Sequence, residues 1–249
     1  MTTEDGAVQS QQEELEEDES QPLVLTPRDI GVLKLIHEHQ YSSINPIREA
    51  FWKRRSVSSN SCYRRIERLV KTGYLKRDYS TWESVVVYLL AAKGFRELQS
   101  RGLDSGLELY EKTEDFDRYS EHDLNVLSLR VLFAELGLTD WRSERLLAKD
   151  KLSKLPDGVL NVRGFKIAIE MDNSRKDQTR YRDIFSYYSE NTNYALAFMV
   201  MNADLKNWLF GMKYDVKRIW FTNYSRLFKL RQQTLFENKS GSFLLSRIL

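Results

Sequence analysis

The sequence has little of several residue types, and each shortage excludes a class of protein. Cys62 is the single cysteine among 249 residues, which excludes an intrachain disulfide and a zinc site built from several thiolates. The three histidines, two of which lie close together at His37 and His39, do not supply a compact histidine-cluster metal site. No apolar run approaches the roughly 20 residues of a membrane span, and the acidic start does not resemble a signal peptide. We therefore expect a soluble, cytoplasmic protein without a membrane partner.

Charge is distributed very unevenly along the chain. Residues 1–20 contain eight acids and no Lys or Arg, whereas residues 21–249 contain 38 Lys and Arg against 28 acids, a net charge of +10. The acidic segment has too few apolar residues to offset its ordering entropy, so we predict a disordered tail over residues 1–21. Two interpretations of this tail stay open: a solubilising leader, or an internal competitor that covers a basic DNA-binding face.

The next segment has the pattern of three helices followed by a hairpin. Thr26-Pro27-Arg28-Asp29 has the features of a helix start, with Thr26 as the N-cap and Pro27 at the first helical position. A second short helix is predicted over residues 44–52. A third follows the serine-rich residues 58–61 and ends at Gly73. Residues 74–77 and 85–89 then predict a two-stranded wing.

This segment is also strongly basic. Residues 51–77 hold nine Lys or Arg and one acid, a charge that attracts phosphate. The stretch from Tyr63 to Leu75 resembles the recognition helix of the winged helix-turn-helix family as it enters its wing, which makes residues 22–101 a DNA-binding domain. The predicted base-reading residues are Ser59, Asn60, Tyr63 and Arg64, and the predicted phosphate contacts are Lys53, Arg54, Arg55, Arg65 and Arg68. The alternatives are a solvated helix face or a winged helix that contacts only protein.

The remaining residues predict a linker over 102–118 and an α/β domain over 119–249. A helix is predicted from the cap residues Ser120 to Asp123, followed by a strand over residues 141–147. Residues 155–172 predict a hairpin of two strands around a turn at Arg163-Gly164. The apolar run at residues 194–201 predicts a buried strand, and residues 218–222 predict another. These strands predict a mixed central sheet, and residues 229–249 predict a covering helix or a partner contact.

Three carboxylates are predicted to converge at the end of this hairpin. Glu170 and Asp172 are two residues apart on one strand and so share a face, while Asp157 begins the neighbouring strand. Carboxylates this close repel one another unless a cation lies between them, and Mg²⁺ or Mn²⁺ prefers such oxygen ligands. Lys176 or Arg175 would then orient a water or stabilise the phosphate. The alternative is a surface salt-bridge cluster made by the same acids with Arg175, Lys176 and Arg180.

Two family resemblances rest on these residues. Pro156-Asp157 followed by Ile169-Glu170-Met171-Asp172 resembles the PD-(D/E)xK restriction-endonuclease-like superfamily, although Asp172 stands where that motif has its Lys. The order of winged helix, His-containing helix, Pro-Asp pair and Glu-x-Asp strand over residues 25–200 is more similar to the plasmid replication-relaxation family and the C-type mobilisation relaxases. That resemblance implies recognition of an origin of transfer or replication and a metal-assisted cut in one strand. The matched positions are His122, Asn125, Asp157, Glu170, Asp172 and Lys176, with Glu144 as a further acid.

The sequence thus predicts an α+β protein in which a winged helix-turn-helix precedes a restriction-endonuclease-like domain. We expect it to bind double-stranded DNA, to contact other plasmid transfer or replication proteins, and to use Mg²⁺ or Mn²⁺. His122 has two interpretations, as a capping or packing residue at a helix start or as a catalytic residue, and Tyr187 and Tyr188 are interpreted as packing residues. The alternative functions are a non-catalytic regulator and an adaptor, both with a degenerate nuclease domain.

Overall fold

The computed structural model describes residues 22–53, 59–81, 84–150, 152–172, 174–212 and 217–249. The predictions for residues 1–21 and for Arg54 and Arg55 lie outside the described residues. The helices are α1 (Pro27–His39), α2 (Ile44–Phe51), α3 (Ser59–Lys71), α4 (Ala92–Ser100), α5 (Phe116–Glu135), α6 (Glu144–Leu147), α7 (Gln178–Glu190), α8 (Ala203–Gly211) and α9 (Tyr224–Leu230). The strands are β1 (Tyr41–Ser43), β2 (Leu75–Tyr79), β3 (Val86–Leu90), β4 (Trp141–Ser143), β5 (Gly158–Val162), β6 (Phe165–Asp172), β7 (Leu196–Met201), β8 (Ile219–Asn223), β9 (Leu235–Asn238) and β10 (Gly241–Leu244).

Helix α1 begins where its capping residues predict. The backbone N–H of Thr26 donates to Asp29 Oδ2 at 2.6 Å, and the backbone N–H of Asp29 donates to Thr26 Oγ1 at 3.3 Å. This reciprocal capping box satisfies amide groups that have no partner within the helix. The buried residues of α1 then pack against those of α2 and α3 and the first residue of β2. The shared core consists of Val32, Leu33, Ile36, Ile47, Cys62, Ile66, Leu69 and Leu75.

A three-stranded antiparallel sheet completes this first part of the chain. Its order is β1-β3-β2, with Tyr41 opposite Leu89 and Leu75 opposite Leu90. Strand β3 is therefore central and almost fully buried, while β2 forms an edge with exposed residues. Strand β1 was not predicted from the sequence, because three residues between two helices are too short for an alternating pattern to be recognised.

The second part contains a seven-stranded sheet in the order β10-β9-β8-β7-β6-β5-β4. The central strands β6, β7 and β8 are parallel, whereas the outer strands pair antiparallel, so the predicted mixed sheet is confirmed. The hairpin of β5 and β6 is also confirmed, and its register sets Gly158 opposite Ile169. Continuing that register by one residue brings Asp157 opposite Glu170.

Helices cover both faces of the seven-stranded sheet, and the alternation of β6 decides which residue meets which helix. Ile167, Ile169 and Met171 point into the core that the sheet shares with α5. Ala168 points into the opposite core, which contains residues of α7 such as Tyr181 and Tyr188. Because side chains alternate along a strand, Glu170 and Asp172 share one face, as predicted, and that face is the α7 side.

Three sequence predictions were wrong in their bounds or type. Helix α5 begins at Phe116 rather than near Ser120, because Phe116 is buried with Tyr41 and β3 and extends the helix toward the first part of the chain. The predicted strand over residues 141–147 ends at Ser143 and is followed by the short helix α6. Residues 229–249 form no covering helix; they contain the strands β9 and β10, where Phe236 stacks on Phe243.

Buried polar contacts join the two parts. Arg130 on α5 donates to the Glu38 carboxylate at 2.7 Å, and the Ser143 hydroxyl donates to the backbone carbonyl of Glu38 at 2.8 Å. Tyr41 on β1 donates to Asp123 on α5 at 2.5 Å. The end of α1 therefore lies directly against the start of the sheet domain, next to the predicted site.

Candidate functional site

The hairpin of β5 and β6 brings Asp157 to Glu170, as the sequence predicts. Asp157 Oδ2 accepts a hydrogen bond of 2.6 Å from the backbone N–H of Met171, so the carboxylate is fixed against β6. The next residue, Gly158, has Trp141 packed where a side chain would start, so any larger residue would displace that ring. Packing of the sheet edge and a backbone hydrogen bond therefore both position Asp157.

Glu170 is a buried acid, with 5% of its surface exposed. Lys154 Nζ and the Tyr188 hydroxyl both donate to Glu170 Oε1. Burial, followed by repulsion from the Asp157 carboxylate, raises the pKa of Glu170 to about 7, although the two donors act in the opposite direction. Near neutral pH this carboxyl group is therefore balanced between its two protonation states.

Asp172 lies on the same face of β6 but has a different partner. Its Oδ1 accepts from Lys176 Nζ, four residues further along the chain. Burial, followed by the nearby charge of Asp172, raises the pKa of Tyr181 on α7. The structure therefore brings Asp157 and Glu170 into one pair and holds Asp172 in an ion pair beside them.

His122 joins the pair from helix α5. It lies in the second turn of that helix, so the interpretation as a residue at the helix start was wrong, and its Nε2 is 3.1 Å from Asp157 Oδ1. Burial alone would lower the pKa of His122, but the hydrogen bond and charge of Asp157 outweigh it and raise the pKa to about 9. His122 is therefore an imidazolium at neutral pH, with its charge directed at Asp157.

Further acids line a cavity of about 290 Å³ beside this group. The cavity is lined by His122 and Asp157, by Asp123 on α5, and by Glu144 at the start of α6. Burial, then the charge of Asp157, raises the pKa of Glu144. Burial raises that of Asp123 as well, despite its bond from Tyr41. The sequence prediction that Glu144 is a further acid near the site agrees with this position.

The acids of this site meet the needs of a hard divalent cation only in part. Within the ranges that the structure describes, no three His, Cys, Asp or Glu side chains form a group that could hold a metal ion. Magnesium sites, however, often use one or two carboxylates and complete their shell with water and substrate phosphate. Asp157 and Glu170 fit that pattern, since their mutual repulsion is what a cation would relieve. Asp172 pairs with Lys176 beside them, as Glu170 pairs with Lys154 and Asp157 with His122.

The predicted DNA-binding residues divide into two groups. Asn60, Tyr63 and Arg64 are exposed on α3, on the side opposite Cys62, Ile66 and Leu69. Ser59 is the first residue of that helix. Arg68 lies on the same helix and is half-buried.

Two of the other predicted phosphate contacts, Arg65 and Lys53, are engaged within the molecule. The Arg65 guanidinium binds the buried Asp29 carboxylate through two hydrogen bonds of 2.8 and 2.5 Å. Lys53 pairs with Glu135 of α5, which also pairs with Arg231. The exposed part of α3 is therefore narrower than the sequence predicts and is centred on Tyr63 and Arg64.

Sequence reasoning missed two residues of the site. Lys154 has no pattern of its own, although it lies close before the Pro156-Asp157 pair, and its contact with Glu170 depends on the path of the chain before β5. Tyr188 was interpreted as a packing residue. It is buried and does pack, but its hydroxyl also donates to Glu170. One signal for these donors was available. Glu170 lies on the face of β6 that α7 covers, and a buried acid needs a hydrogen-bond donor.

The fold and the site define a mixed α+β protein with paired acids, a charged histidine and two lysines at one end of a central sheet. The family model described as replication-relaxation matches residues 33–196, more than half of the chain. The chain belongs to the replication-relaxation family, which suggests a role in plasmid replication or transfer. No curated protein matches it. None of the helices in the described part of the chain is long and apolar enough to cross a membrane.

Proposed function

We propose that this protein binds double-stranded DNA at a plasmid origin of transfer or replication and cuts one strand by metal-assisted phosphodiester hydrolysis. In this proposal α3 and the β2-β3 hairpin recognise the DNA, and the acids at the end of β6 carry the chemistry. The cutting step is carried by one observation: His122 is hydrogen-bonded to Asp157 and Lys154 to Glu170, and these two acids are close enough for the charge of Asp157 to raise the pKa of Glu170.

The element order supports the DNA-binding half of the proposal. A helix, a short strand, two helices and a hairpin follow one another from α1 to β3, which is typical of the winged helix-turn-helix. Helix α3 buries one face and exposes Tyr63 and Arg64 on the other. Arg64 can form two hydrogen bonds to a guanine edge in the major groove, whereas a lysine contacts phosphate as a point charge.

Two variants test this division of roles. Arg64→Ala is expected to lower affinity for the preferred site about tenfold and to relax sequence choice. Lys53→Ala is expected to weaken binding to all DNA alike, and by less, because Lys53 must first leave Glu135. Binding is measured by fluorescence anisotropy on the preferred site and on a scrambled duplex at two salt concentrations. A uniform loss of the same size from both variants would contradict the division.

The cutting step requires a proton donor, charge neutralisation and an activated water. His122 is charged below about pH 9 and holds a proton for the leaving oxygen. Lys154 and Lys176 bring two positive charges beside the acids, where they would offset the charge of a phosphate. Asp157 and Glu170 would hold Mg²⁺ or Mn²⁺, which supplies Lewis acidity and lowers the pKa of a bound water. Tyr188 is not the nucleophile in this proposal, since its hydroxyl donates to Glu170.

The test is nicking of supercoiled plasmid that contains the DNA flanking the chain's own coding sequence. The wild type is expected to convert it to open circles with Mg²⁺ or Mn²⁺ and not with EDTA. Glu170→Gln is expected to slow nicking on the order of a hundredfold while DNA binding stays unchanged. Glu190→Gln, an exposed acid at the end of α7, is the matched control and is expected to cut like the wild type.

A second function is favoured by one specific observation. Asp157, Glu170 and Asp172 are each paired with His122, Lys154 or Lys176, as expected of a domain that uses these residues only for folding. The protein would then be a non-catalytic regulator, or an adaptor between the origin and other plasmid replication or transfer proteins. Intact supercoiled DNA with both metals, together with normal binding of the origin, would favour this second function over the first.

A further inference from the structure

A second cavity lies between the two parts of the chain, away from the acids. It measures about 400 Å³ and lies where α3 and β3 meet α5. Its apolar wall is formed by residues such as Ile44, Val86 and Leu124. Ligand pockets of proteins begin at roughly 300 Å³, so the space is large enough for a small planar group.

The lining of this cavity is polar but uncharged. It is lined by Ser43 at the end of β1, by Asn45 on α2, and by Asn125 and Ser128 on α5. The lining residues within the described part of the chain include no Lys, Arg, Asp or Glu. A free phosphate or a carboxylate would therefore enter without a countercharge, whereas a neutral group with several hydrogen-bonding atoms would find amides and hydroxyls.

Asn125 is held in a defined orientation. Its Oδ1 accepts a hydrogen bond of 3.1 Å from the Tyr224 hydroxyl on α9. An amide has two donors on the opposite side from this acceptor, so the nitrogen of Asn125 is the group that can donate to a ligand. An asparagine used in this way recognises the hydrogen-bonding edge of a heterocycle.

An exposed aromatic side chain lies at the same cavity. Tyr63 on α3 lines it and has 44% of its surface exposed. It is next to Arg64, on the face of α3 that the proposed function assigns to DNA. A planar base stacks on such a ring, and the basic helix beside it attracts the phosphates on either side of the base.

We propose that this cavity binds a single unpaired nucleobase of the DNA held by α3. The inference rests on the proposed function and adds a second mode of contact, in which a base leaves the duplex, stacks on Tyr63 and bonds to Asn125. The cavity has a neutral lining, the aromatic ring of Tyr63, the amide donor of Asn125 and positive charge nearby on α3. Together these features match a nucleobase attached to a phosphate chain. The ring of the base takes the apolar wall, and its edge takes the amides.

The test compares a duplex that has one unpaired base with the same duplex fully paired, by anisotropy at constant salt. The wild type is expected to bind the unpaired form about tenfold more tightly, in line with the stacking of one base. Tyr63→Ala and Asn125→Asp are expected to abolish this ratio, whereas Tyr63→Phe retains it because the ring alone stacks. Asn125→Asp keeps the acceptor for Tyr224, so the fold is preserved, and Tyr63 is exposed enough that its truncation is tolerated.

Tyr119→Ala is the matched control, since Tyr119 is exposed on α5 and does not line the cavity. It is expected to keep the wild-type ratio. The inference is overturned if the wild type binds both duplexes equally well, or if Tyr63→Ala and Asn125→Asp both keep the wild-type ratio of affinities. Either result leaves the proposed binding of paired DNA standing. Binding of the unpaired form without binding of the paired form supports the cavity and removes the duplex-binding part of the proposed function.

Discussion

Two buried carboxylates in this protein are treated in opposite ways. Asp29 in the first part of the chain faces one guanidinium, that of Arg65, and a capping threonine. Burial alone would raise the pKa of Asp29, but these hydrogen bonds outweigh it, so the pKa is lowered. Glu170 in the second part faces another carboxylate, and its pKa is raised to about 7.

The partners of each carboxylate account for the opposite pKa shifts. A carboxylate with one well-placed partner stays ionised and contributes to the fold. Glu170 lies beside a second acid, and its two donors do not fully offset burial and repulsion. It therefore keeps a raised pKa, which costs folding stability when the group is ionised. Perturbed groups of this kind concentrate at functional sites, although structural networks perturb pKa values too. We therefore interpret Asp29 as a structural residue, and the raised pKa of Glu170 supports the role that the proposed function gives it.

The largest expected effect that tests this comparison is on folding stability. Asp29→Asn removes the charge that Arg65 binds while the Asp29 side chain is fully buried, so we expect a loss of about 3 kcal/mol in the free energy of unfolding. Urea denaturation measures it. Asp78→Asn is the control, since its pair with Lys112 is largely exposed and contributes less than about 1 kcal/mol. Equal losses in the two variants would remove the structural role of Asp29.

The second prediction concerns pH and has opposite signs for the two carboxylates. Asp29 has a lowered pKa, so its contribution to stability is present above its ordinary value of 3.8 and is lost as pH falls below it. Glu170 has a raised pKa, so stability is full below its ordinary value of 4.5 and falls as pH rises through about 7. Glu170→Gln cannot titrate and is expected to flatten the decline between these values. Denaturation midpoints across that range measure it, and an unchanged decline would contradict the raised pKa.

A third, smaller effect is the contribution of His122 to the pH dependence of stability. His122 also has a raised pKa, so it contributes stability that is fully present below its ordinary value of 6.5 and is lost as pH rises through about 9. His122→Asn is expected to remove this part of the alkaline decline while leaving the decline below pH 6.5 in place. Because His122 is more exposed than Glu170, solvent reduces the effect. Thermal melts of both proteins between pH 6.5 and about 9 test it.

The smallest effect concerns the geometry of the Arg65 pair. Arg65→Lys keeps the positive charge but loses the two-point contact with both Asp29 oxygens, so we expect a loss of about 1 kcal/mol. The urea midpoint should fall less than in Asp29→Asn. A loss as large as that of Asp29→Asn would show that shape, rather than charge, dominates this pair.

Much of the fold was predictable because its signals are local. The capping box at Thr26 and Asp29 marks the start of α1, and the hairpin of β5 and β6 follows from two apolar runs around Arg163-Gly164. The shared face of Glu170 and Asp172 follows from the two-residue period of a strand. In each case the residues that decide the structure are neighbours in the chain.

The errors occur where distant contacts override local patterns. Helix α5 starts early because Phe116 packs against Tyr41, which is far away in the sequence. The strands β9 and β10 replace the expected helix because Phe236 and Phe243 pack with Phe198 of the central sheet. A single sequence contains no record of these pairings, so propensity alone chose the wrong element.

From the sequence alone we could predict a basic, helical segment ahead of a mixed sheet, and a hairpin that brings Asp157 close to Glu170 and Asp172, because charge, apolar period and capping are properties of adjacent residues. His122 was placed near these acids only through the family resemblance. The partners of those acids depend on the packing of distant residues. His122 contacts Asp157, Lys154 and Tyr188 donate to Glu170, and Lys176 donates to Asp172. Those choices, together with the shape of the cavity beside Tyr63, depend on which helix covers which face of a sheet, and packing of the whole chain sets that arrangement.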